Sequence, residues 1–181
     1  MEVHLSLSFL VKEAQLRLDK RGQTLIEVIV VITIGILVIG ALVFATIAGL
    51  RNSQFAKNQV QATKLAQEGL ERMRTLRDRD NVGSISSSLP GVDQFSDLWS
   101  VSLGCQVAIN NCYFYFNPSG SILINGTSVN FEDIQPGNFR RQIQIEDYGD
   151  GTQQKKVTSI VQWNDFSGDH ESRLTTILRR L

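Results

Sequence analysis

The segment Lys20-Arg21-Gly22-Gln23-Thr24-Leu25-Ile26-Glu27 holds the residues best placed for chemistry. A basic pair runs into Gly22, which lacks a Cβ and so suits a place where a protease must grip the backbone closely. Thr24 opens an apolar run, and Glu27 stands at its edge, where an unpaired carboxylate is expensive and therefore a functional candidate. The plainer reading of Glu27 is an interfacial side chain snorkelling towards headgroups. Elsewhere reactive residue types are scarce: two His (His4, His170) and two Cys (Cys105, Cys112). That leaves too little for a zinc site built from several His and Cys, or for a Cys/His or Ser/His hydrolase. No catalytic residue, metal-ligand set or cofactor is expected.

The element that must position Glu27 is the run that follows it. Residues 28–50, VIVVITIGILVIGALVFATIAGL, are 23 residues without a charge. At about 1.5 Å of rise each they cover roughly 34 Å, enough for a hydrocarbon core of about 30 Å. A buried helix of a soluble protein is rarely apolar on every side. The run also exceeds the roughly 7–15 residues of a secretory h-region. It reads as a membrane helix. Lys12, Arg17, Lys20 and Arg21 precede it, which puts the N-terminal flank in the cytoplasm and exports the rest. The length of 181 residues suits one domain, or a domain plus an appendage, rather than two full domains, and 18 Lys+Arg balance 18 Asp+Glu. No basic footprint argues for nucleic acid.

Arg21-Gly22-Gln23-Thr24-Leu25-Ile26-Glu27 followed by an apolar helix resembles the processing site of type IV prepilins and type II secretion pseudopilins. The resemblance implies cleavage between Gly22 and Gln23 by a prepilin peptidase on the cytoplasmic face, then N-methylation of Gln23. It gives Glu27 the role of the family's acidic residue at the fifth mature position, used in assembly. Gln23 departs from the usual Phe or Met, and the 22-residue leader is longer than many. Without the leader, 14 Lys+Arg face 15 Asp+Glu, and His170 is the remaining histidine. Read without the resemblance, residues 1–22 would pass for a short amphipathic helix with Leu5, Phe9, Leu16 and Leu18 among charges. The implied partners are the peptidase/methyltransferase, other pilin or pseudopilin subunits, an inner-membrane assembly platform and membrane lipid.

Beyond the span, no Pro occurs before Pro90. Ala62, Leu65, Ala66, Gly69, Met73 and Leu76 form a stripe at helical spacing, and Glu68/Arg72 and Arg74/Asp78 are i,i+4 pairs. Residues 80–91 read as a loop. After it come β-like runs: Ser100–Ile109, Tyr113–Phe116, a hairpin of Ile122–Ile124 with Thr127–Phe131 about an Asn125-Gly126 type I′ turn, Phe139–Glu146 and Lys156–Trp163. Leu174, Ile177, Leu178 and Leu181 are at helical spacing, whereas Thr175-Thr176-Ile177 favours strand; the resemblance favours a closing strand. The expected fold is α+β, a long N-terminal helix packed on an antiparallel sheet of about four or five strands. Its parts are leader 1–22, membrane and assembly helix 23–50, amphipathic continuation 51–80 and exported β domain 81–181.

Cys105 and Cys112 flank an Asn110-Asn111 turn, and an exported location favours a disulfide over two buried thiols. Asp147/Asp150 and Asp165/Asp169/Glu171 are acidic turns without EF-hand spacing, so ordinary turns outweigh calcium sites. Asn125-Gly126-Thr127 matches a glycosylation sequon, but the turn accounts for it. Three functions remain: a structural subunit, minor pilin or pseudopilin, of a pilus or secretion filament; a membrane-tethered extracytoplasmic binding module that does not polymerise; and an exported enzyme. The enzyme is weakest, because no nucleophile–base pair can be assembled. The expected location is the bacterial inner membrane before assembly, with an exported C-terminal domain, and a periplasmic or surface filament afterwards.

Overall fold

The computed structural model describes residues 2–79, 83–105, 112–135, 137–149 and 153–181, with side chains from Thr24 onward. The expectations for Gly22 and Gln23 as side chains, and for residues 106–111 and Asp150, lie outside the described residues. Helix α1 runs Glu2–Arg79. With the first Pro at position 90, nothing in this stretch removes a ladder N–H. Arg77 and Arg79 fall in its last turn, where cations complement the helix dipole. The chain forms two compact units, Met1–Ser53 and Gln54–Leu181.

From Thr24 to Ser53 no residue is buried, and the large apolar side chains from Leu25 to Leu50 are all exposed. The two hydroxyls within this stretch fold back on the helix. Thr33 Oγ1 donates to the Ile29 carbonyl at 2.8 Å and Thr46 Oγ1 to that of Leu42 at 2.7 Å. Each polar group is thereby satisfied without water, as a bilayer interior demands.

In the second unit, α1 from Gln54 onward lies on a seven-stranded sheet. The strands are β1 (Ile85–Ser86), β2 (Tyr113–Phe116), β3 (Leu123–Gly126), β4 (Glu132–Ile134), β5 (Phe139–Asp147), β6 (Gln154–Asp165) and β7 (Gly168–Arg179). Their order is β1-β3-β2-β5-β6-β7, with β4 beside β5. All pairs are antiparallel except β1 with β3. The α+β class and the helix-plus-sheet arrangement agree with expectation. The sheet is larger than expected because the two-residue β1 and three-residue β4 are too short to register as periodic runs. The C-terminal segment is strand: β7 pairs with β6 from Asp165↔Gly168 to Gln154↔Arg179.

The expected stripe on α1 is the face that packs. Ala62, Ala66, Gly69, Leu70 and Met73 are buried, and Leu65 and Leu76 are half-buried. Leu70 and Met73 share a core with Phe114, Phe116, Ile143, Ile145, Val157 and the 3-10 turn residues Phe95, Leu98 and Trp99; Ala62 and Ala66 share one with Phe139, Val161 and Trp163. Gly69 sits where the sheet comes closest, since a Cβ there would stand 2.6 Å from Ser159 Oγ and 3.0 Å from Arg141 Cδ.

Three local expectations are corrected. Residues 100–105 form no strand. Leu103 meets β5 through one backbone bond, Asp147 N–H to the Leu103 carbonyl, and through the Asp147 carboxylate, which accepts from the Leu103 N–H. A carboxylate thus occupies the place of a ladder partner. Asn125-Gly126 is not a hairpin turn either. Both residues belong to β3, which pairs with β2 and β1, while the segment after it forms β4 against β5. Gly126 is required by proximity, because a Cβ would lie 2.9 Å from that of Asn130 and 3.0 Å from the Tyr115 ring. Finally, Glu68–Arg72 forms as expected at 2.5 Å, but Arg74 pairs with Glu71 and Asp78 with Arg77.

Candidate assembly site

Glu27 lies on α1 with its neighbours Leu25, Ile26 and Val28 exposed at 62, 65 and 56 %. Positions 23 and 27 are one helical step of four apart, on one face and separated by about 6 Å of rise. The carboxylate therefore stands immediately before 23 residues that carry no charge. Nothing among the described residues around it forms a nucleophile–base pair. What this arrangement offers is a polar mark on an apolar rod, a single carboxylate at the edge of an uncharged run.

The remaining candidate residues are spread through the second unit. Cys105 and Cys112 are joined by a disulfide, with Cα atoms 5.2 Å apart, and Gln144 Nε2 lies 2.7 Å from Cys105 Sγ. The acidic turns are occupied by protein donors. Asp147 accepts from Lys155 Nζ at 2.5 Å, from Ser102 Oγ and from the Leu103 N–H. Asp169 accepts from Asn164, and Glu171 pairs with Arg173, raising the arginine's pKa. Asp165 receives the Ser167 N–H at 2.7 Å and lies 2.9 Å from His170 Nε2. The Ser167 N–H, with His170 assisting, holds the Asp165 carboxyl below the usual carboxylate range against the opposing pull of desolvation. Among the described residues no three His, Cys, Asp or Glu cluster as metal ligands.

Two buried cations escaped the sequence reading. Arg141 is 1 % exposed, donates from Nε to Glu132 at 2.8 Å and from Nη1 to the Leu65 carbonyl of α1 at 3.0 Å, and lies over the Phe116 ring. Arg72, also on α1, reaches Glu132 at 3.3 Å. Lys155 is equally buried and donates to Asp147 and to the Val101 carbonyl. Together they fasten β4, β5 and β6 to the helix and to the loop before β2. The signal was phase: Arg141 alternates with Phe139, Ile143 and Ile145, and Lys155 with Val157, Val161 and Trp163, so each sits on the apolar face of its strand.

Residues 17–43 match the family model described as the prokaryotic N-terminal methylation motif, the type IV pilin and pseudopilin signature. No curated protein and no solved structure matches the chain. The matched stretch holds Arg21, Gly22, Gln23 and Glu27 and leads into the apolar half of α1. It supports a pilin-like or pseudopilin precursor, a structural rather than enzymatic class of protein.

Proposed function

We propose that this chain is a minor pilin or pseudopilin. A prepilin peptidase cuts after Gly22, the new terminus at Gln23 is N-methylated, and the mature chain is drawn from the membrane into a filament through its N-terminal helix. The observation that carries this reading is the methylation motif over residues 17–43 running directly into an apolar stretch with no buried residue. Such a surface needs a bilayer or other apolar helices to cover it.

Glu27 supplies what the apolar surface lacks. After cleavage the chain begins with a protonated secondary amine about 6 Å along the helix from this carboxylate. Either charge left alone in hydrocarbon costs a few kcal/mol. Pairing between neighbouring subunits offsets part of that cost and sets the axial stagger of one helix against the next. Surfaces rich in Leu, Ile and Val slide past one another with little preference for register.

The test has two readouts. Mass spectrometry of the mature protein is expected to find N-methyl-Gln23 as the first residue. Glu27→Ala is expected to insert and be cut normally yet fail to copurify with the other pilins, and Glu27→Asp to fall between. An intact leader on the mature protein would favour a membrane-tethered module that never polymerises. Wild-type incorporation of Glu27→Ala would remove the pairing mechanism.

A further inference from the structure

Among the described residues of the second unit the most exposed large apolar side chain is Phe166, 89 % accessible at the tip of the β6–β7 hairpin. Its place in the fold follows from what β6 touches. Leu70 and Met73 share a core with Val157, whereas Ala62 and Ala66 share one with Val161 and Trp163. Phe55 in turn meets the rings of Trp163 and His170, with centroids 6.4 and 5.1 Å away. β6 therefore runs antiparallel to the helix, back towards residue 54. From Met73 to Phe55 the helix rises about 27 Å, and from Val157 to Asp165 the strand advances about 26 Å. The turn Asp165–Gly168 consequently stands level with Phe55, at the end of the unit where the chain arrives from the apolar stretch.

Phe55 follows Leu50 by five residues, which limits their separation to about 18 Å. The turn's acids do not face outward unpaired: Asp165 is held by the Ser167 N–H and His170, and Asp169 by Asn164. Beside the exposed polar Asn164, Ser167 and Asp169, the tip presents one large apolar group, the Phe166 ring.

We infer that the Phe166 tip is a lipid contact, seating the exported domain on the headgroup–acyl boundary of the outer leaflet while the subunit is anchored in the membrane. A single ring on a narrow turn is far from the more than 1,000 Å² that a specific protein interface buries. A bilayer surface requires no shape complementarity and accepts isolated aromatic side chains at its interface. This rests on the apolar stretch spanning a bilayer, though not on filament assembly.

The experiment uses the full chain reconstituted in phosphatidylcholine vesicles, with brominated or unbrominated acyl chains, and reads tryptophan emission. Phe44→Trp reports the apolar stretch, Phe166→Trp the tip, and Tyr148→Trp the opposite end of the β5–β6 pair; Trp99 and Trp163 are a common background. The expected result is strong loss of the added emission in brominated lipid for Phe44→Trp, intermediate loss for Phe166→Trp and none for Tyr148→Trp. Quenching of Phe44→Trp without Phe166→Trp overturns the lipid contact alone and leaves the ring for a protein partner. Equal quenching at positions 166 and 148 overturns it too, since the domain would then lie on the bilayer without using the tip. An unquenched Phe44→Trp defeats the anchoring and the contact together.

Discussion

Replacing Arg141 by Met is expected to weaken the sheet domain by about 3 kcal/mol, a low-end value for breaking a buried ion pair, where about 3–5 kcal/mol is typical. The low end applies for two reasons. Glu132, whose side chain is 12 % exposed, keeps Arg72 as a second partner at 3.3 Å, and Met retains the apolar stem that packs at Phe116. Lost outright are the two bonds to Glu132 and the donor to the Leu65 carbonyl. The unit Gln54–Leu181 has a stability of order 6–19 kcal/mol at typical values per residue, so the variant should still fold. With a urea dependence of about 2 kcal/mol per molar, the midpoint falls by about 1.5 M. Emission from Trp99 and Trp163, both buried, follows the transition in the full chain held in detergent. The companion variant, Arg141→Met with Glu132→Leu, removes both buried charges and is expected to regain most of the loss, because an apolar replacement of a whole buried pair is often neutral. Arg72 would keep Glu68 at 2.5 Å. An unchanged midpoint for Arg141→Met, or a double variant as weak as the single one, would refute the view that this pair fastens the helix to the sheet.

Gly22→Val should leave full-length protein in the membrane by immunoblot, since a branched Cβ obstructs the backbone where the peptidase must grip; normal trimming would move the cleavage site elsewhere. Opening the Cys105–Cys112 loop, seven residues in separation, with paired Ser substitutions should cost about 2–3 kcal/mol by loop-closure entropy, read as a lower urea midpoint; two reactive thiols in exported protein would argue against the bond. Asp165 titrates below its unfolded value, so its stabilising contribution is present above about pH 4 and is lost as pH falls through the lower folded value. Asp165→Asn should therefore flatten the acid limb of the stability profile, and an unchanged limb would contradict the assignment.

The long helix, its packing stripe and most of the central strands were legible in the sequence because each repeats a single period over many residues. Ala62, Ala66, Gly69 and Met73 keep helical spacing, and Val157, Val161 and Trp163 keep the period of two of a strand, with Thr158 and Ile160 buried on its other face as well. What was misread depended on partners distant in sequence. Asn125-Gly126 has the composition of a tight turn, yet Gly126 answers to the Tyr115 ring across the sheet. Ser100–Ile109 has strand-like composition, but at Leu103 the partner is a side chain 44 residues away. Arg141 was overlooked although its phase was visible, because a charge within an apolar alternation is easily assigned to solvent. The motif at Gly22–Glu27 was legible because its meaning resides in residue types at adjacent positions.

Strand β7 closes one side of the sheet, and among the described residues nothing pairs with its outer edge over 12 residues. A border of that length is a standing template for strand addition. Subunits crowded together would be prone to irreversible clumping through such borders if they were apolar and bare. Here Asp169, Glu171, Arg173 and Arg179 all stand exposed along it, so an incoming strand would have to strip water from charges of both signs. The colloidal behaviour of the domain thus depends on four side chains that contribute nothing to its core.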